Sequence, residues 1–340
     1  MAPMALSAAS PFPVLFCNNP QLPPKLSFSL SNHHYLLPFK SLSFSPKFRH
    51  QLTIPCSATR KSSNNSSKNS RLVGEEVEDE SFPRKLTQTF LWAMEGVYIL
   101  WLFLLPYAPG DPVWAISSDT INSLVDLSLN FFFILPITNL VGIHAMEAPV
   151  LHPISEGLFN FAVGWTFMFA PLLYTDIKNG RYKGSLDALW GLQMFLTNTF
   201  LIPYMAIRLN EADASSYPKK KRSQLGIVMI KGAPVVGLVG GIVCAISILW
   251  ALFGRADGDF GSVNDRWDFL LRLVGSERFA YAFVWDIVLY MIFQPWLISG
   301  NLENVAKSKI LFVSYVRYIP VVGLLAYLLC LNREEVCRAA

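Results

Sequence analysis

Two adjacent stretches decide the fold: Gly157-Leu-Phe-Asn-Phe-Ala-Val-Gly-Trp-Thr-Phe-Met-Phe-Ala-Pro-Leu-Leu-Tyr-Thr175 and Ala188-Leu-Trp-Gly-Leu-Gln-Met-Phe-Leu-Thr-Asn-Thr-Phe-Leu-Ile-Pro-Tyr-Met-Ala-Ile207. Neither contains a charged side chain. Each is close to the ~20 residues a helix needs to cross ~30 Å of hydrocarbon. The segment between them, Asp176-Ile-Lys-Asn-Gly-Arg-Tyr-Lys183, is hydrophilic and is expected to face water. Backbone N–H and C=O groups in lipid need internal partners, so the pattern predicts two spanning helices joined by a hairpin loop.

Composition extends this expectation to the chain beyond about residue 85. The sequence is 52% hydrophobic and 15% charged, whereas soluble domains carry ~25% charged residues to face water. The predicted fold class is an all-α transmembrane bundle over residues 86–340, with about seven spans near 86–107, 121–143, 157–175, 188–207, 226–253, 279–298 and 310–331. Pro136, Pro171, Pro203, Pro295 and Pro320 are expected to interrupt or kink them. In the loop 255–278, Trp267, Phe269, Leu270, Leu273 and Val274 recur at near-helical spacing, which predicts a short interfacial helix. Charge does not settle orientation. Seven alternating spans put Lys178, Arg181 and Lys183 opposite the N-terminus and Lys219–Arg222 beside it.

The N-terminal segment is of another kind. It is rich in serine, proline and basic residues, and its first acidic residue is Glu75. Such acid-poor composition is that of an organellar transit peptide, here of chloroplast type over residues 1–57 with cleavage near Cys56. Residues 58–85 are expected to form a flexible linker. Cys17 and Cys56 fall in the cleaved part, and Cys244, Cys330 and Cys337 have no CxxC spacing, so neither a disulfide framework nor a cysteine zinc site is expected. The formal charge of +4 is concentrated in the tail and one internal cluster, which argues against a nucleic-acid partner.

Charge inside a span costs ~2.5–3.5 kcal/mol on insertion scales and therefore marks a protein interior or a wet cavity. Glu95, Asp126, Asp286 and Arg317 are the intramembrane candidates: either a polar pathway with Arg317 balancing a carboxylate, or an interhelical pair that fixes packing. His144, Glu147 and His152 are the one metal-like constellation, interrupted by Pro149 and Pro153. Gly237-x-x-x-Gly241 permits close helix approach. Tryptophans such as Trp92, Trp101, Trp165, Trp190 and Trp296 suit a membrane interface or a stacked pigment. Phosphate-binding, nucleotide-binding and nucleophile-elbow motifs are absent from the sequence, and no cofactor is implied.

Asn160, Pro171, Asp176, Gln193, Asn198, Pro203-Tyr204 and Arg208 resemble a group of polytopic integral membrane proteins of cyanobacteria and plastids, over roughly residues 156–300. The resemblance implies a plastid membrane home, inner envelope or thylakoid, and no catalytic residues. Three functions are open: a non-enzymatic auxiliary or assembly component working with other plastid membrane proteins or pigments, a carrier or channel for a small solute or ion, and a membrane enzyme acting on an isoprenoid, pigment or lipid. All three require lipid as the solvent of residues 86–340. An alkaline carbonate wash is therefore expected to leave the mature protein in the membrane pellet, as followed by immunoblot.

Overall fold

A computed structural model describes residues 69–211, 222–255 and 258–338, with side chains between Phe82 and Val336. The predicted transit peptide, Cys17, Cys56 and Lys219–Lys221 lie outside the described residues. Thirteen α-helices follow in order among these: α1 (Asn69–Ile99), α2 (Ser118–Leu129), α3 (Ile134–Leu140), α4 (Pro153–Thr175), α5 (Leu186–Leu196), α6 (Asn198–Ile207), α7 (Gln224–Lys231), α8 (Ala233–Phe253), α9 (Val263–Ser276), α10 (Arg278–Ser299), α11 (Ile310–Val316), α12 (Val322–Cys330) and α13 (Arg333–Arg338). The only extended pairing among the described residues is a single bridge between Val305 and Leu331. The predicted all-α class holds.

α4 is the axis of the bundle, with 78% of its most apolar window buried. It packs against α8 through glycines. A Cβ on Gly157 would sit 2.7 Å from the Ser247 carbonyl oxygen, and one on Gly240 would meet Met168 and, at 2.8 Å, the Gly164 carbonyl. Backbones at such separations gain dispersion contact along their whole length. Gly237 and Gly241 use another side of α8, against Leu325 and Leu328 of α12. The predicted small-residue motif is thus a helix contact within the chain. On its outer side α8 exposes Val235, Leu238, Ile242 and Leu249, as a lipid-facing surface would.

The seven predicted spans are corrected by where each segment begins and ends. Four segments are long and apolar enough to cross a membrane: Ser118–Leu140, Pro153–Thr175, Ala233–Phe253 and Arg278–Ser299. The first meets the Glu156 end of α4 through its middle, where Asn130 donates to Glu156 (2.5 Å) and the Phe132 amide to Asn160 (2.6 Å). Trp114 donates to the Leu104 carbonyl (2.9 Å), and Asn130 to the Pro149 carbonyl (2.9 Å). α1 does run from end to end. Arg84 meets Glu211 at the Asp176 end, Tyr98 reaches Asp286 on α10, and the loop after α1 is held by Arg278 at the other end. Residues 84–105 of such a helix cover ~32 Å. Glu95 and the polar stretch Thr87–Thr89 dilute its hydropathy. The helix also begins at Asn69, within the expected linker, where Arg, Leu and Glu favour helix.

Predicted spans four and seven are half-depth hairpins. α5 and α6 leave and return at the Asp176 end, where Tyr174 and Ser223 donate to Asp187 and Arg208 pairs with Asp176. Between them the chain reverses at Thr197, with φ 39° and ψ −111°. α11 and α12 likewise return to their starting level, with the Ala306 amide donating to the Cys330 carbonyl (3.0 Å). Pro320 cannot donate an amide hydrogen and Val321 is left-handed at φ 62°. α9 is the helix expected in the 255–278 loop, and a capping box between Ser262 and Asp265 starts it.

The α4–α8 contact leaves no room for a side chain at Gly157. Gly157→Val is expected to lower stability by ~1–3 kcal/mol, seen as an earlier melting transition in mild detergent. Gly96→Ala, where nothing lies within 4 Å, is expected to be neutral or stabilising.

Candidate functional site

The candidate site is a seam of buried polar side chains along α4 and α10. At one end, Glu156 is fully buried on the first turn of α4. Arg255, just past α8, grips it with two nitrogens, Nη2 to Oε1 at 2.6 Å and Nε to Oε2 at 3.1 Å. Asn130 donates to Oε1 (2.5 Å) and Trp250 to Oε2 (2.7 Å). Four donors around one carboxylate replace the water it lost.

Midway, α10 presents Asp286, Tyr290 and Gln294 at four-residue spacing, one stripe of a helix face. Asp286 accepts from Tyr98 of α1 (2.7 Å) and from Asn198 at the tip of the α5–α6 hairpin (2.8 Å). The Tyr290 hydroxyl lies 2.6 Å from that of Thr166. Gln294 accepts from Trp165 (3.0 Å) and donates to the carbonyls of Arg317 and Ile319, both at 2.9 Å. The break between α11 and α12 frees the Arg317 carbonyl, while that of Ile319 also accepts from the Gly323 amide (2.9 Å). Asn160 plays the same part at the break between α2 and α3: it accepts from the Phe132 amide (2.6 Å) and donates to the Asn130 carbonyl (3.1 Å).

At the far end of α4, Asp176 is 2% exposed, which corrects the expectation of a wholly water-facing turn. Arg208 donates to it through Nε (2.7 Å) and Nη2 (3.1 Å), Tyr204 through its hydroxyl (2.6 Å), and Asn301 through its amide (3.0 Å). A carboxylate this well solvated by protein can be buried, and the turn begins one residue later with exposed Ile177. Arg181 in that turn donates to the Arg208 carbonyl (2.7 Å).

Of the four predicted intramembrane charges, two enter this seam. Asp286 is its centre. Glu95 is 6% exposed, one turn before Tyr98 on α1, and its Oε2 has no partner. Asp126 is half-buried on α2, away from the others. Arg317 sits at the α11–α12 break, stacked over and bonded to Tyr318; the expected carboxylate pairings are made instead by Arg208 and Arg255. His144, Glu147 and His152 are not brought together. His144 and Glu147 are exposed, while His152 caps α4 through Nδ1 and stacks on Phe269 at 3.5 Å. Burial and the charges of Arg266 and Arg272 pull its imidazole down to about 4. Among the described residues no three His, Cys, Asp or Glu side chains are placed to hold a metal ion.

Sequence reasoning missed Arg255, Asn130, Gln294 and Asn301. Asn160, Asp176, Gln193, Asn198, Tyr204 and Arg208, which carried the family resemblance, are all buried. No family model, curated protein or solved structure matches this chain.

The two end pairs differ from surface ion pairs in having no water to fall back on. Asp176→Ala strands the Arg208 guanidinium and is expected to cost ~3–5 kcal/mol, measured as loss of the folded, monodisperse species in detergent. Asp176→Asn, which can still accept from Tyr204, is expected to lose less.

Proposed function

We propose that the protein is a non-enzymatic integral membrane component of plastids, in the inner envelope or thylakoid, that acts by associating with other membrane proteins or their pigments. The observation that carries this is the use made of interior polarity. Glu156, Asp176 and Asp286 are each turned inward and ringed by donors from other helices. Groups so engaged hold helices in register; a catalytic carboxylate would need an open side facing substrate. The broad apolar surfaces of α2 and α8 suit lateral contact in the bilayer. The plastid assignment rests on the composition of residues 1–57 and on the resemblance over residues 156–300.

A second reading, a carrier or channel for a small solute or ion, is favoured by one feature. Broken half-helices that meet a buried carboxylate at mid-depth are the setting in which transporters bind their cargo, and here Asn198 at a hairpin tip meets Asp286. Glu95 Oε2 and Asn198 Oδ1 are buried without partners near that point, as acceptors awaiting a donor would be. Membrane enzymology of isoprenoids or lipids has no comparable support.

Mild detergent extraction of plastid membranes followed by affinity capture is expected to recover the protein with stoichiometric membrane partners. A species that emerges alone from every detergent tried would count against the assembly role and leave the carrier reading.

A further inference from the structure

At the Asp176 end, α1, the turn after α4 and the residues just past α6 enclose a cleft of about 700 Å³. Among the described residues Arg84, Lys85, Lys178 and Arg181 line it, with Lys183, which has an interaction of its own, and Glu211 is the one carboxylate. Glu211 is already taken, with Arg84 at 2.5 Å and Lys85 at 4.0 Å. The nearby Asp176 is consumed by Arg208, Tyr204 and Asn301. Leaving Lys183 aside, four cations face one carboxylate among the described residues that line the cleft. Its crowding is felt by its members. Burial, then the charges of Arg208, Arg181 and Arg84, draw Lys178 below the usual lysine range, and burial with Arg84 and Arg208 lowers Arg181. Like charges held together in a part-buried cleft call for an anion.

We propose that this cleft binds a phosphate-bearing anion at the membrane surface. The mixture of ligands fits that chemistry: guanidiniums offer forked donors to phosphate oxygens, and lysines add mobile point charges. The cleft lies where the bundle's helices end, level with the polar margin of a bilayer, and its volume exceeds what a bare ion fills. A phospholipid headgroup and a free phosphate compound share the recognised group. This inference is independent of the assembly role proposed above.

The test uses the full chain purified in a neutral detergent. Its melting transition is followed on addition of phosphatidylglycerol, of phosphatidylcholine and of inorganic phosphate. Phosphatidylglycerol is expected to raise the transition and phosphatidylcholine to leave it unmoved. A response to phosphatidylglycerol alone identifies a lipid headgroup, and a response to inorganic phosphate, alone or as well, identifies a free phosphate as a sufficient ligand. Lys85→Gln with Lys178→Gln removes two charges and is expected to weaken half-saturation ~30-fold, at about one tenfold step per 1.4 kcal/mol and ~1 kcal/mol per cation. Lys85→Arg with Lys178→Arg should retain binding. Lys307→Gln with Lys309→Gln removes equal charge at the same end outside the cleft and should bind as the parent does. No response of the parent chain to either anion, or equal weakening by the cleft and control pairs, would overturn the proposal.

Discussion

An apolar interior does not forgive an unpaired peptide group, and this chain breaks its helices inside one. Three segments of near-spanning length are interrupted, at Phe132–Phe133, Thr197 and Arg317–Val321. Each break frees carbonyls or amides that would cost several kcal/mol if left bare in hydrocarbon. At the first and third, an amide side chain from a neighbouring element bonds the backbone at the break. Asn160 accepts and donates at the first, and Gln294 donates twice at the third. At the second, Asn198 of the hairpin itself reaches the Asp286 carboxylate and carbonyl. The buried polar seam thus exists largely because the helices are broken, and the breaks persist because the seam is there.

The arginines obey the same rule at helix ends, where the last carbonyls lack partners. Arg278 donates to the carbonyls of Leu102, Leu105, Ala108 and Gly110, which holds the loop after α1 without regular structure of its own. Arg266 reaches the carbonyls of Ala251 and Gly254 at the end of α8. A guanidinium can satisfy several acceptors at fixed angles, which an ammonium does less well. Loss of Arg278 would therefore free a whole loop, whereas exposed Lys231 or Lys309 could be replaced with little consequence.

Much of this was legible in the sequence, and what was not has a definable cause. Uncharged runs of spanning length located α4 and α8, and an apolar run holding the single carboxylate Asp286 located α10, because length and apolarity are local properties. The same criterion mistook α5–α6 and α11–α12 for single crossings. A reversal such as that at Thr197 is fixed by the partner that Asn198 finds on α10, 88 residues away in sequence and invisible to any window. Asp176 illustrates the opposite error. Its place at the head of Asp-Ile-Lys-Asn-Gly-Arg suggested water, yet three donors from distant segments make burial tolerable. Glu156 and Arg255 stood in plain view as charges at span boundaries; only their pairing needed the fold. The metal-like set failed because His152 was already committed to capping α4.

The path of the chain also gathers its basic residues unevenly between the two ends of α4. α1, α4, α8 and α10 run from end to end, and the remaining apolar segments return to the end from which they started. Arg84 and Lys85, the Lys178–Lys183 turn and Arg222 then all lie at the Asp176 end, the last through its bond to the Val336 carbonyl beyond α12. Lys307 and Lys309 join them, since Asn304 donates to the Thr175 carbonyl. At the opposite end Arg255, Arg266 and Arg278 are tied to Glu156 or to backbone carbonyls, and Asp111, Asp265 and Glu277 stand among them. An even number of end-to-end helices brings α1's start and the C-terminal helix back to the Asp176 end.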